Sequence, residues 1–275
     1  YNLALELASL GAEMEYCSGD FLMCNELFDE VLAFSVSRRD CLRAYYAKIE
    51  SLRARVWLLD ALDLGFKFLL QFKISFPKKP STIHILTSLV RASSLVPKNI
   101  SDIVKLPEMK DEDKMACMKI MGILAYSAFF LEKGREFILV SLEMMRFTLR
   151  FGLSAMSTQA VGTFGMIKTF VGRYDDGFAF GRLAMHLLET TKSQEVGART
   201  ILVVCCYTNH WKMPLDTLVA PLHRAYTNGL ATSEIGTGLL AAYNRIMVLG
   251  SIGTPLDQMD DEILAIEELC FEFKQ

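Results

Sequence analysis

The chain has 275 residues, of which 52% are hydrophobic, and its formal net charge at pH 7 is −3. So apolar a composition excludes an intrinsically disordered chain, and the small negative charge excludes the global basic field that recruits nucleic acid. The first residue is Tyr1 and not methionine, so we expect a segment of a longer protein.

Cysteine usage and hydropathy give expectations about location. Seven cysteines are scattered without a C-x-x-C motif or metal-ligand spacing, which is typical of free thiols in a reducing compartment. No signal peptide is visible. The longest uncharged run, residues 151–167, contains polar residues and three glycines, and it is shorter than the ~20 apolar residues of a membrane span. We therefore expect a soluble cytoplasmic protein with no membrane span.

Helical periodicity dominates along the chain, whereas strand and hairpin signals are nearly absent. In chain order the predicted helices are 2–17, 20–36, 40–54, 57–72, 82–96, 111–131, 134–151, 154–171, 175–191, 194–210, 214–229, 233–249 and 256–273.

Polar residues that favour helix starts stand at several of the breaks. The predicted N-caps are Asp20, Ser81, Asp111, Ser154, Asp175 and Ser193. Pro214 and Pro255 suit a first helical position. Pro221 lies inside the eleventh predicted helix, where a missing N–H predicts a kink.

Short links make consecutive helices antiparallel neighbours. Gly19 and Gly172 each stand two residues before an aromatic residue, at equivalent turns. A ladder with spacings of four and three residues then recurs at 24/28/31, 61/65/68 and 177/181/184, and it is typical of the second helix of a tetratricopeptide-like pair. The full signature is missing, since no tryptophan or proline stands at the expected places. The sequence predicts an all-α fold of antiparallel helix pairs, stacked as a degenerate tetratricopeptide-like superhelix.

Residues 73–110 break this rhythm, because they hold four of the seven prolines and a basic cluster. We expect a loop, one amphipathic helix and a second irregular crossing through Pro97 and Pro107. The stretch is interpreted as an insertion that packs on the same solenoid, within a single domain spanning 1–275. The alternative is a boundary between two repeat blocks.

Five stretches resemble a known family of large signalling proteins. They are Leu7–Phe21 (LASLGAEMEYCSGDF), Ile74–Ser81 (ISFPKKPS), Leu106–Met121 (LPEMKDEDKMACMKIM), Gly172–Glu189 (GRYDDGFAFGRLAMHLLE) and Asn209–Leu230 (NHWKMPLDTLVAPLHRAYTNGL). They resemble the helical-repeat region of proteins that begin with a serine/threonine-kinase-like domain and an AAA/STAND-type ATPase, and often continue with a GAF domain and a sensor histidine kinase. The resemblance implies a regulatory segment beside an ATPase, with no catalytic residue to carry over.

Catalytic and cofactor motifs are not found in the sequence. GxxxxGK[ST], GxGxxG, HExxH and GxSxG do not occur, so we expect no cofactor, no metal and no catalytic residue. Asp175 and Asp176 could suggest the acidic magnesium-binding box of an all-α terpenoid synthase. That box needs a further acid one helical turn later, and none follows, so the two residues are interpreted as the start of a helix. Lys78 and Lys79 are interpreted as an exposed polar loop, with contact to phosphate or to an acidic partner as the alternative.

Asn209, His210 and Trp211 are the candidate interaction residues. They end one predicted helix just before Pro214 opens the next. One interpretation is structural, with His210 capping carbonyls and Trp211 holding two helices together. The other is an aromatic and hydrogen-bonding anchor for a partner, since this residue mix is enriched in binding hot spots.

The expected function is a non-catalytic regulatory or sensor scaffold of an ATPase-linked signalling protein. Its expected partners are a protein, a peptide or neighbouring domains of the same chain, and not nucleic acid. Two alternatives stay open: a free-standing tetratricopeptide-like adaptor, and an all-α enzyme acting on an apolar substrate.

Overall fold

The computed structural model describes residues 2–37, 39–191, 193–232 and 234–273, and over these ranges it is all-helical without a β-strand. The α-helices are α1 (Asn2–Ser18), α2 (Phe21–Phe34), α3 (Leu42–Ala54), α4 (Leu58–Gln71), α5 (Thr82–Ser93), α6 (Glu112–Phe130), α7 (Gly134–Phe151), α8 (Met156–Phe170), α9 (Tyr174–Thr191), α10 (Gly197–Tyr207), α11 (Val219–Ala231), α12 (Ile235–Ser251) and α13 (Asp260–Phe273). Within the described ranges, no helix combines the length and hydropathy needed to cross a membrane. The predicted all-α class is confirmed.

Each predicted helix corresponds to one observed helix, and the largest differences lie around α10 and α11. Short 3-10 turns at Gln194–Val196 and Asn209–Trp211 flank α10, and a third, Leu215–Leu218, precedes α11. Pro221 therefore lies in the first turn of α11, where backbone N–H groups have no partner within the helix. The prediction of a kink at Pro221 is wrong, because this proline is not in the interior of a helix. The backbone instead changes from a 3-10 turn to an α-helix at Val219.

Three of the predicted N-caps are confirmed. Asp20 accepts a hydrogen bond from the N–H of Met23 at 3.0 Å, and Asp111 accepts one from the N–H of Asp113 at 3.1 Å. Ser81 forms a reciprocal capping box with the third residue of α5. Two predictions are wrong, since Ala155 and not Ser154 precedes α8, and Asp175 lies inside the first turn of α9. Ser193 is the N-cap residue of the 3-10 turn Gln194–Val196, but its side chain makes no cap hydrogen bond.

A single type of turn ends many of the helices. Gly19 and Gly172 have φ angles of 85° and 81°, in the left-handed region that glycine adopts readily. After α8, the N–H of Gly172 donates to the carbonyl of Thr169, and the N–H of Arg173 donates to that of Lys168, both at 2.9 Å. This pair of bonds defines the Schellman motif. The predicted equivalence of the Gly19 and Gly172 turns is confirmed for the backbone conformation.

The chain divides into two compact units. Unit 1 comprises Tyr1–Val96 and Pro107–Gly152, and unit 2 comprises Pro97–Leu106 and Leu153–Gln275. In unit 1, α1 packs on α2, α3 on α4 and α6 on α7. Both helices of a pair also contact the first helix of the next pair. Thus α1 and α2 contact α3, and α3 and α4 contact α6. This is the neighbour-only packing of an α-solenoid.

Unit 2 repeats that scheme. Here α8 packs on α9, α10 on α11 and α12 on α13, while α8, α10 and α12 form the row of first helices. A buried ion pair between Arg199 of α10 and Glu234, the residue before α12, adds a link between successive pairs. Neighbouring helix pairs, as predicted, are the building block of both units. The expectation of a single domain stays a prediction.

The ladder residues face the interiors of the two units. Phe28, Phe68 and Ala184 are buried, together with the smaller residues beside them on the same helix faces. A Cβ on Gly65 would overlap the side chain of Leu124, because α4 lies directly against α6 at that position. The sequence pattern thus identified helix faces that pack on the next pair.

Residues 73–110 have the predicted layout of a loop, one helix and a second irregular stretch with a 3-10 turn at Ile100–Lys105. Helix α5 packs against α7 and lies outside the row of pairs in unit 1. It is therefore an inserted helix resting on unit 1, while residues 97–106 belong to unit 2.

Candidate interaction surface

Asn209, His210 and Trp211 form the 3-10 turn that follows α10. Asn209 is buried, and its Oδ1 accepts a hydrogen bond from Oγ1 of Thr208 at 3.3 Å. A Cβ on Gly181 would lie 3.3 Å from the same Oδ1, which shows that α9 passes directly over this turn. Asn209 is thus placed to hold the turn against α9 and not to reach a partner.

His210 is half-buried, and its ring contacts the ring of Trp211 at a centroid distance of 4.8 Å. Burial lowers the pKa of His210, and a hydrogen bond with the backbone at Cys205 offsets only part of that effect. The folded chain therefore favours the neutral imidazole. His210 supports the position of Trp211 from the protein side.

Trp211 is the exposed member of the turn. Its side chain is 53% exposed, and its ring packs on that of Tyr174, 4.8 Å away at the start of α9. Next to this ring pair, Lys212 Nζ lies 2.6 Å from Asp175 Oδ1. Trp211 therefore links α9 to the end of α10, as the structural interpretation predicts, and still presents a large aromatic surface to solvent. Its role as a partner anchor stays a prediction.

A second aromatic pair is formed by Phe170 and Tyr207, which stand four residues before Tyr174 and Trp211 respectively. The ring of Phe170 at the end of α8 contacts that of Tyr207 edge to face at 5.9 Å. Phe170 is 58% exposed. No motif in the sequence marks Phe170, Tyr174 or Tyr207 as a site residue. Their signal is the spacing of four residues in 170/174 and 207/211, which brings the side chains onto one face across the turn.

The third helix pair of unit 2 extends this surface. A Cβ on Gly229, near the end of α11, would lie only 2.6 Å from the Cα of Gly238, near the start of α12. The end of α12 therefore lies beside the start of α11, next to the turn that holds Trp211. Two large apolar side chains are exposed there, Ile252 and Leu256.

We name this surface the turn edge. It consists of the exposed residues Phe170, Val171, Tyr174, Trp211, Leu215, Ile252 and Leu256. At the opposite edge, the described residues of the turns around 191–196 and 231–235 expose no large apolar side chain, whereas Phe271 near the end of α13 is exposed. Other exposed apolar side chains of unit 2, such as Tyr243, Met247 and Leu264, lie along α12 and α13. The turn edge is the group of exposed apolar residues that spans all three helix pairs, and such a group indicates a contact surface.

The chemistry at the turn edge is that of contact. Aromatic rings offer large apolar area with little loss of conformational entropy, and they are enriched where proteins bind each other. The nearby charges lie in exposed ion pairs, Lys212 with Asp175 and Arg173 with Asp176. Exposed pairs of this kind contribute about 0–1 kcal/mol each.

Nucleophilic and metal chemistry have little support in the described residues. Burial raises the pKa of the Cys117, Cys205 and Cys206 thiols to about 12, so these thiols stay protonated and unreactive. Among the described side chains, no three histidine, cysteine or acidic residues are grouped to hold a metal ion.

Comparison with known proteins gives one distant relative and no family. No protein-family model matches the chain. Over 147 residues the chain is 27% identical to the hybrid signal transduction histidine kinase G of Dictyostelium discoideum. The match covers 52% of this chain and 4% of that relative. The similarity therefore relates about half of the chain to a small part of a much longer signalling protein.

Proposed function

We propose that this chain is a non-catalytic interaction module of a larger signal-transduction protein, and that the turn edge of unit 2 is its contact surface. The observation that carries the proposal is the exposed apolar edge, with two aromatic pairs at its centre. The distant similarity to a hybrid histidine kinase supports the signalling context.

The repeat architecture suits this role, because stacked helix pairs present long surfaces built from successive repeats. The contact scheme in each unit agrees with the tetratricopeptide-like arrangement suggested by the ladder. The family resemblance adds the finer proposal that the contacts regulate an adjoining ATPase. In that setting a partner bound at the turn edge shifts the equilibrium between inactive and active states.

Site-specific photo-crosslinking in the full-length protein tests the proposal. A photoreactive phenylalanine analogue replaces Trp211 in one variant and Trp57 in a matched control. Trp57 is similarly exposed, at 49%, but lies in unit 1 at the start of α4. We expect position 211 to give a discrete covalent adduct with a signalling partner or with another domain of the same protein.

The adduct should disappear when Tyr174→Ala is added, since Tyr174 supports the ring at position 211. Equal adduct yields from positions 57 and 211 would rule out the turn edge as the contact surface. The open reading frame around this segment distinguishes an ATPase-linked module, preceded by a phosphate-loop domain, from a free-standing adaptor.

A further inference from the structure

A groove of about 520 Å³ runs along α4 in unit 1. Its lining includes the buried side chains of Leu62 and Leu139, and the exposed Leu59 and Leu70 are the first and last residues of α4 that line it. The loop that follows α4 forms one wall, where the ring of Phe76 contacts that of Phe66 at 5.3 Å. We name it the α4 groove.

The wall is anchored to the helices around it. Nη1 of Arg135, in the first turn of α7, donates a hydrogen bond to the carbonyl of Pro80 at 3.0 Å. The groove is therefore a formed concavity between α4, the loop and α7. Its volume lies within the range of roughly 300–1,000 Å³ that is usual for small-molecule sites, which are also mostly apolar with a few polar groups.

The charges of the groove favour an anion. Three lysines and two acids line it, an excess of one positive charge, and they are Lys67, Lys78, Lys133, Asp63 and Glu136. Asp63 stands one helical turn before Lys67 on α4. Glu136 likewise stands one turn after Lys133. Within each pair the two charges offset each other, so Lys78 carries the excess. Lys133 precedes α7, whose first turn has no side-chain cap. The positive end of that helix dipole adds to the preference for negative charge.

The length of the groove limits the apolar part of a ligand. Leu59 and Leu70 are eleven residues apart on α4, which corresponds to about 16 Å of helix. A fully extended saturated chain of about ten carbons spans about 11 Å and therefore fits within this length. We propose that the α4 groove binds an apolar small molecule with one anionic head group, of the chemical class of a medium-chain carboxylic acid.

In this arrangement the hydrocarbon lies over Leu62, Phe66 and Leu139, and the carboxylate lies towards Lys78 and Lys133. The groove gives a role to Lys78. The sequence allowed two interpretations of this residue, an exposed polar loop or a contact to phosphate or to an acidic partner. Lys79, its neighbour, does not line the groove. The site belongs to unit 1 alone and does not depend on the function proposed for the turn edge.

Isothermal titration calorimetry of the whole 275-residue chain with sodium decanoate, kept below its micelle concentration, tests this inference. We expect saturable binding with one ligand per chain. Lys78→Gln and Lys133→Gln should each weaken it roughly two- to fivefold, the worth of one solvent-exposed ion pair. Lys79→Gln, in the same loop but outside the groove, should leave the affinity unchanged. Decanol, which lacks the charge, should bind more weakly than decanoate.

Leu70→Glu gives a second variant that spares the fold, because Leu70 is exposed at the rim. A carboxylate there should repel the ligand, whereas Ile83→Glu, at an exposed position of α5, should not. No saturable heat with decanoate, or equal weakening by Lys79→Gln and Lys78→Gln, would overturn the inference. So would binding of an acidic amphipathic peptide at the groove without binding of decanoate.

Discussion

The α6–α7 hairpin of unit 1 and the α8–α9 hairpin of unit 2 share a turn but close their helices differently. Glu132 and Gly172 occupy the same left-handed position, with φ angles of 55° and 81°. Five residues later, α7 has Phe137, whose ring contacts Phe129 at 5.8 Å. At the equivalent place α9 has Gly177, which lies directly against Thr169.

This difference separates two determinants of a helix pair. The turn, with the same pattern of hydrogen bonds after α6 and after α8, sets which residues oppose each other. Side-chain volume then determines what fills the space between the helices. In α8–α9 the backbones themselves meet, since a Cβ on Gly165 would lie 2.9 Å from the carbonyl oxygen of Gly177. In α6–α7 an aromatic ring occupies that position.

The largest expected effects on stability come from replacing Phe137 or Gly177 with alanine. Phe137→Ala should lower the free energy of unfolding by about 3 kcal/mol, because it leaves a cavity beside Phe129. Gly177→Ala should lower it by about 1–3 kcal/mol for the opposite reason, since the added methyl group meets Thr169. Urea unfolding followed by circular dichroism measures both variants.

Thr169→Ala, added to Gly177→Ala, provides the control. It removes the hydroxyl that the new methyl group meets and should recover part of the lost stability. A Gly177→Ala variant with unchanged stability would show that α8 and α9 are not in backbone contact at this position.

A smaller effect is expected at the turns. Gly172→Ala should cost about 1 kcal/mol, because a left-handed conformation is unfavourable for a residue with a Cβ. No atom lies within 4 Å of that Cβ position, so the effect isolates the backbone. Glu132→Gly should increase stability by a smaller amount. Thermal and urea unfolding measure both.

The helical residue Gly250 is the matched position for this pair of variants. It also has no atom within 4 Å of its Cβ position. Gly250→Ala should stabilise the chain by up to about 1 kcal/mol, since alanine favours a helix. The same sign at Gly172 and Gly250 would show that the turn does not impose a left-handed conformation.

The smallest effect is expected in unit 2, where α9 contacts the turn that holds His210. Burial lowers the pKa of His210 below its ordinary value of 6.5. On acidification, the unfolded chain therefore binds a proton at His210 before the folded chain does. The stability that the folded chain gains from the neutral imidazole is lost as the pH falls below 6.5 towards the folded pKa.

His210→Gln removes this contribution. The stability advantage of the unsubstituted chain over the variant should shrink between about pH 7.5 and about pH 5, as measured by urea unfolding at each pH. An advantage that stays constant or grows on acidification would contradict the buried, neutral imidazole.

Local chemistry explains which predictions succeeded. Helix spacing, the caps at Asp20, Ser81 and Asp111, and the glycine turns all depend on residues close together in the chain, so the sequence predicts them. Ser154 and Asp175 are not caps, because a capping residue type does not fix where a helix begins. The 3-10 turns around α10 likewise depend on packing against neighbouring helices.

The interaction surface was predictable only in part. Trp211 stands out in the sequence as a rare aromatic residue at a helix end, but its partner Tyr174 is 37 residues away and was interpreted only as part of a turn. Asn209 was grouped with Trp211 because they are adjacent. The structure separates them, since one side chain is buried under α9 and the other is exposed.

The all-α class, the order of the helices and their buried faces follow from the amino-acid sequence, because helical periodicity is a local property of the chain. Two features follow from the packing of the helices: the exposed aromatic residues that meet at the turn edge, and the groove between α4, its following loop and α7. Both depend on contacts between residues far apart in the chain, and these follow from how the helix pairs fit together in space.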